Sequence, residues 1–360
     1  GSPVIWNDKV FVTCEDPEQA GGILLALSVS DGRTLWQKKY KLTPYRSHND
    51  NSYATSTPTV DAERVYVLWQ TAGEVILAAI NHDGRPIWQR DFPGIYCRFG
   101  PGTSPVLFDD LVVFTHEHWA KGPEGGKHES SWIALDRETG RTRWETKRNN
   151  AEISYSTPCI YRPDGREPEL IFTSWAHGVT AVEPQTGRVI WELDSALPAR
   201  VVSSPVIAGD LIVGTCGKGG TGIQLSAVRP GTKDNPRKAA LAYKHTGKSA
   251  PYVPTSIAKD GLLFTFHDQG DVSCLRVDTG KVLWSEKPGG RFYGSPVWVN
   301  GLLYCINRKG EVLVIKAAPA YELPAVNPLG EKSQATPAVA GGKMYLRTYS
   351  QLISIGGRTQ

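Results

Sequence analysis

The chain has 360 residues, with 40 Lys plus Arg against 36 Asp plus Glu, and its net charge of +4 gives no global pointer to nucleic acid or to an anionic membrane. Hydrophobic residues make up 40% of it, enough for a substantial core, and no apolar run approaches the roughly 20 residues a transmembrane helix needs. The 37 Gly and 25 Pro exclude a collagen-like or disordered chain and fit a turn-rich globular one. Met344 is the single Met, and with no initiator Met or signal segment ahead of Gly1 the sequence reads as part of a longer gene product.

Taken in chain order, two elements recur. Ser or Thr beside Pro, followed by β-branched residues, appears at Pro3, Pro58, Pro105, Pro158, Pro205, Pro254, Pro296 and Pro337, spaced 41 to 55 residues apart. A turn dipeptide followed by Trp appears as DGRTLW (Asp31 to Trp36), DGRPIW (to Trp88), TGRTRW (to Trp144), TGRVIW (to Trp191) and TGKVLW (to Trp284), with Tyr243 in the Trp position of a degenerate copy. Eight units of about 45 residues have the period of a propeller blade.

Within a unit, short runs of Val, Ile, Leu, Phe and Tyr alternate with Gly, Asp and Asn turns, which are strand signals. In the sixth unit the four strands fall near VPTSIA, LLFTFH, VSCLRV and KVLWSE. The expectation is an all-β, eight-bladed β-propeller of four-stranded antiparallel blades, one domain over residues 1–360. Gly supplies the positive φ of each turn, and Trp36, Trp88, Trp144, Trp191 and Trp284 are read as structural, each laid against a neighbouring blade. The last unit ends without a Trp-bearing fourth strand, so the last blade is expected to have three strands, the missing one coming from ahead of Gly1.

The pattern Ser-Pro-Val, VYV or LLF, and TGxxxW resembles the quinoprotein-like (PQQ-like repeat) propeller. That family contains PQQ-dependent alcohol dehydrogenases and non-enzymatic BamB-like proteins, and NSYATSTPTV and YSTPCIYRPDGREPELIF resemble exported PQQ-binding-like propellers. The dehydrogenases use adjacent bridged cysteines, a calcium held by acidic and amide groups, and a catalytic Asp. Here Cys14, Cys97, Cys159, Cys216, Cys274 and Cys305 are widely spaced, with no adjacent pair. They read as buried small hydrophobes, with one or two disulfides left open. No Asp, Glu and Asn set matches the quinone site.

In a four-stranded blade, the loops joining strands two and three and those joining one blade to the next share a face. His48, His116, His118, His128, His177, His245 and His267 fall there, and only His82 falls on the other face. With Asn49, Asn51, Tyr96, Arg98, Trp175, Arg200, Lys218, Tyr252, Arg291, Tyr293, Arg308 and Arg347 they outline a basic, aromatic-rimmed funnel for an anionic or sugar-like ligand or an acidic peptide. The same distribution follows if longer loops simply hold more polar residues. His116-Glu117-His118 with His128 has the alternation of a metal site but reads more simply as a solvated loop. GKGGTG (Gly217 to Gly222) precedes a strand, not the helix a dinucleotide site needs. His48-Asn49-Asp50-Asn51 reads as a turn.

The expected function is a non-enzymatic binding or scaffolding propeller with its loop-rich face toward a protein or a small ligand. No catalytic residue, metal or cofactor is expected. The alternative is a divergent PQQ-dependent alcohol or sugar dehydrogenase, or another enzyme using the funnel. The resemblance implies an exported, periplasmic or cell-envelope protein, with no nucleic-acid partner and membrane association only through an N-terminal segment.

Overall fold

In the computed structural model, which describes every residue except 46–47, 98, 101, 120–128, 150–151, 233–234, 236–237 and 357–360, each unit of the repeat forms one antiparallel sheet with its strands in chain order. Seven sheets have four strands. The eighth has three, at Ala338–Ala340, Lys343–Arg347 and Leu352–Gly356, as the lack of a last Trp-bearing segment predicted. The sixth blade runs Ile257–Lys259, Leu262–Phe266, Val272–Arg276 and Val282–Glu286, so its last three strands lie where the sequence put them and the first begins just past Pro254. Helix among the described residues is limited to two short 3-10 turns, Asp194–Ala196 and Gly247–Ser249, and no helix is long and apolar enough to cross a membrane.

The turn-to-Trp motif works as an interlock between blades. In six blades the pairing of strands three and four slips by one residue just before the aromatic, leaving the aromatic opposite a small residue. Trp36, Trp88, Trp144 and Trp191 face Ala26, Ala79, Ala134 and Ala181; Tyr243 faces Ala227 and Trp284 faces Cys274. The bulge turns the ring toward the next blade. There the indole N–H donates to a turn carbonyl: Trp36 to His82 (2.9 Å), Trp88 to Arg137 (2.9 Å), Trp144 to Pro184 (2.7 Å) and Trp284 to Ala318 (3.1 Å). Trp191 departs from this, donating to the Glu169 carboxylate of its own blade at 3.0 Å.

The same rings explain the turn glycines beyond their positive φ. A Cβ on Gly187 (φ +72°) would stand 2.6 Å from Trp144, and one on Gly140 (φ +69°) 2.8 Å from Trp88. On Gly32 (φ +74°), in the first blade, a Cβ would meet nothing within 4 Å, because the preceding blade is the three-stranded one and presents no aromatic.

Around the axis, a Ser or Thr at the start of each blade donates its backbone N–H to the equivalent hydroxyl of the next. The circuit runs Ser2, Thr57, Ser104, Thr157, Ser204, Thr255, Ser295, Thr336 and back to Ser2, with N···O distances of 2.9 to 3.2 Å. All but Thr255 stand directly before the prolines that marked the repeat. The apolar core fills the gaps between blades: Phe11 with Trp69, Leu77 with Phe114, Trp144 with Phe172, Trp191 with Ile212, Leu225 with Leu263, Phe266 with Leu303, and Ile306 with Leu346. Among the described residues no such cluster spans the eighth gap, between the last blade and the first. That seam is joined by polar bonds, including Lys343 Nζ to the Val29 carbonyl at 3.1 Å.

Candidate functional site: a cationic cleft across the seam

On the loop-rich face, the polar seam opens into two adjoining recesses. One, of about 510 Å³, is lined by Cys14 and Glu15 of the first blade, the 49–55 connection to the second, and Gln334–Thr336 and Arg347–Tyr349 of the last. The other, of about 360 Å³, is lined by Gly290, Arg291, Arg308, Lys309 and Lys332. Asp50 and Tyr349 belong to both.

Local hydrogen bonding fixes these residues. Buried Asn307 directly follows the second strand of the seventh blade, and its Oδ1 accepts the backbone N–H groups of Lys309 and Glu311, both at 3.0 Å, which holds Arg308 and Lys309 in a turn. Gly290 passes so close that a Cβ would stand 2.2 Å from the Asn307 amide. In the last blade Thr348 Oγ1 accepts the Gln351 N–H at 3.1 Å and Glu331 accepts the Ser350 N–H at 3.0 Å, bending the chain after Arg347.

The charges are unevenly matched. Asp50 pairs with Arg308 and accepts from Gln334 Nε2 at 3.2 Å, while the same amide donates to the Tyr349 hydroxyl at 3.1 Å. The Arg308 guanidinium lies 4.3 Å from the centre of the Tyr293 ring, a cation–π contact. Arg291 donates to the Asp268 carbonyl, at 3.3 Å. Arg347 donates to the Gly1 carbonyl at 2.6 Å and toward the Cys14 sulfur at 3.7 Å. Among the described residues Arg291, Lys309, Lys332 and Arg347 form no ion pair. Burial lowers the Arg347 pKa from the ordinary arginine value, and an arginine stays charged there at a cost that no carboxylate among the described residues offsets by an ion pair.

Of the residues proposed from the sequence, the structure brings Asn49, Asn51, Arg291, Arg308 and Arg347 to this cleft, with Tyr293 beneath Arg308. His48 lies on its margin, its ring edge-on to Phe99 and its Nδ1 accepting the Asp50 N–H at 3.2 Å. The other described candidates stand away from this cleft and line neither recess. His116 is buried, donates to the Pro93 carbonyl at 2.8 Å, and has its pKa lowered by burial. His177 donates to Glu192 at 3.1 Å. His267 is buried, with Nδ1 accepting the Gln269 N–H at 3.1 Å. Tyr252 is buried, Arg200 is paired with Glu152, and Tyr96 stacks on Trp119 at 5.7 Å. Trp175 is an exposed loop residue, and Lys218 is the exposed last residue of the strand Leu211–Lys218. Arg98 and His128 lie outside the described residues.

Asp50, Gln334, Tyr349, Lys309, Lys332 and Glu15 belong to the cleft but were not singled out as binding residues. Their position after a second strand, or between blades, was the available signal.

The six cysteines are all unpaired. Burial pushes the thiol pKa up, to about 11 for Cys97 and Cys216 and about 12 for Cys159 and Cys274, which makes them poor nucleophiles. Among the described residues no three His, Cys, Asp or Glu side chains converge as a metal site. The smaller recess sets Arg291, Arg308, Lys309 and Lys332 against the Asp50 carboxylate, a balance that suits an anion.

Ring, blade interlock and repeat define a PQQ-like-repeat β-propeller of eight blades. Residues 1–146 and 221–359, more than half of the chain, match the family described as outer membrane protein assembly factor BamB, and the chain belongs to that family. No curated protein matches it. Among solved structures, BamB from Moraxella catarrhalis is similar over 98% of this chain and 92% of its own, with TM-score 0.67 and 12% identity. A quinohemoprotein alcohol dehydrogenase from Comamonas testosteroni is similar over 96% of this chain and 69% of its own, with TM-score 0.63 and 12% identity. The computationally designed Ika8 protein gives TM-score 0.61 at 10% identity, over 95% of this chain and 91% of its own. At these identities the likeness is one of fold.

Proposed function

We propose that this propeller is a non-enzymatic binding module of the cell envelope, holding an acidic protein segment on its loop-rich face. The carrying observation is the open recess in which Arg291, Lys309 and Lys332 stand without ion-pair partners among the described residues, beside Tyr349, which is 61% exposed. Unneutralised cations around an exposed aromatic ring suit a carboxylate-rich chain, whose arrival they steer and whose charge they compensate. The exported setting is part of this proposal and is supported by the family match.

The reading of a propeller without a resident quinone is supported by the scattered, unpaired cysteines. A dye-coupled assay with PQQ, calcium and alcohols or sugars tests the dehydrogenase alternative, and turnover would decide for it. For the binding reading, fluorescence anisotropy with a labelled Glu-rich peptide is expected to show saturable, salt-sensitive binding. Arg291→Glu with Lys332→Glu is expected to weaken it at least tenfold, whereas a Lys-rich peptide does not bind. Equal binding of both peptides would overturn the reading.

A further inference from the structure

The larger recess differs in chemistry from its cationic neighbour. It holds one unneutralised cation, Arg347, and several hydrogen-bonding groups with no partner among the described residues: the Glu15 carboxylate, the Asn49 amide and the side-chain carbonyl of Gln334. Among the described residues, only Gly1 and Cys14 take up any of the five donors of the Arg347 guanidinium. Its volume of about 510 Å³ falls within the range of about 300 to 1,000 Å³ typical of small-ligand sites.

We infer that this recess binds a hydroxylated monocarboxylate, a sugar acid, with its carboxylate on Arg347 and its hydroxyls on Glu15, Asn49 and Gln334. A guanidinium fork matches a planar carboxylate in two parallel bonds. The free carboxylate and amide groups accept and donate to ring hydroxyls, and Tyr349 supplies an aromatic wall. Charge selects the monoanion. Arg308 is already taken up by Asp50, so among the described residues a second negative charge on the ligand would find no further free cation in this recess and would face Glu15.

This inference rests on the reading of the loop-rich face as a binding face and adds a small ligand in a recess separate from the one assigned to the acidic segment. Isothermal titration calorimetry on the full chain tests it with D-galacturonate, D-galactose and inorganic phosphate as probes. Galacturonate is expected to bind saturably, with galactose and phosphate each at least tenfold weaker. Arg347→Met is expected to lower galacturonate affinity at least tenfold while Glu-peptide binding at Arg291 and Lys332 stays unchanged. Because Arg347 also holds the Gly1 carbonyl, Gln334→Met serves as a second variant, expected to weaken galacturonate several-fold with an unaltered melting temperature. The inference is overturned by the absence of saturable galacturonate binding, by phosphate or galactose binding equally well, or by unchanged galacturonate affinity in a folded variant. Peptide binding without galacturonate binding removes this inference alone. Loss of peptide binding with galacturonate retained removes the acidic-partner reading alone.

Discussion

The backbone N–H of Thr336 donates to the hydroxyl of Ser2 across 3.2 Å, joining the last blade to the first. Seven equivalent bonds precede it around the axis, so the ring closes at its centre although the last sheet has three strands. Each hydroxyl in this circuit satisfies a backbone donor of a neighbouring blade.

Thr157→Val keeps the side-chain shape and removes one acceptor, leaving the Ser104 N–H without its 3.2 Å partner. The expected loss is about 1 to 3 kcal/mol, the cost of an unmet inward-facing donor. Urea denaturation of the two proteins measures it as a lower midpoint.

Gly187→Ala and Gly32→Ala impose a similar backbone strain, at φ +72° and +74°, but only the first drives a Cβ to 2.6 Å from an indole ring. Gly32→Ala is expected to cost about 1 kcal/mol and Gly187→Ala clearly more, because Trp144 must move as well. Thermal melts of both variants compare them, and equal losses would contradict the interlock.

These two glycines also show what was legible in advance. The turn-to-Trp spacing revealed the blades because the interlock is written within a few consecutive residues, and it even marked Tyr243 as a Trp surrogate. The small residues opposite each aromatic, such as Ala134 and Cys274, lie a strand away and carried no signal of their own. Among the candidate site residues, His116 and His177 drew attention by residue type. Their partners, the Pro93 carbonyl and Glu192, lie 23 and 15 residues away, and only the folded sheets show that they serve the structure. Gln334 and Tyr349 acquire their place solely from the meeting of the last blade with the 49–55 connection, which no local pattern encodes.

Glu192 sets an acid dependence. Burial pushes its pKa up, but the donation from His177 and the pairing with Arg148 outweigh this and hold it at about 2, below its ordinary 4.5. A carboxyl whose folded pKa is depressed stabilises the fold above its unfolded pKa and loses that contribution as pH falls through the folded one. Glu192→Gln is therefore expected to be less stable than the parent at pH 7, with the difference shrinking between about pH 4.5 and pH 2. Urea midpoints at pH 7, 4 and 3 follow the convergence.

Asp50→Ala removes the carboxylate facing Arg308 and leaves the smaller recess with cations alone. Binding of a Glu-rich peptide is expected to tighten about fivefold at low salt, the effect of about 1 kcal/mol for one charge near a surface. Added salt should erase the gain. Anisotropy titrations at two salt concentrations read both effects.

Seven gaps between blades are packed with side chains from both sides, while the eighth is held by the Ser2–Thr336 bond, the Arg347 and Lys343 contacts, and the Asp50–Arg308 pair that reaches across the last blade. Mechanically, this makes the molecule a buckled strap rather than a seamless hoop. The buckle is the line along which it parts first under tension or during a local opening. Any molecule lodged between Arg347 and the 49–55 connection grips both ends of that strap at once. Such an occupant is a rivet as well as a cargo, and its departure slackens the ring.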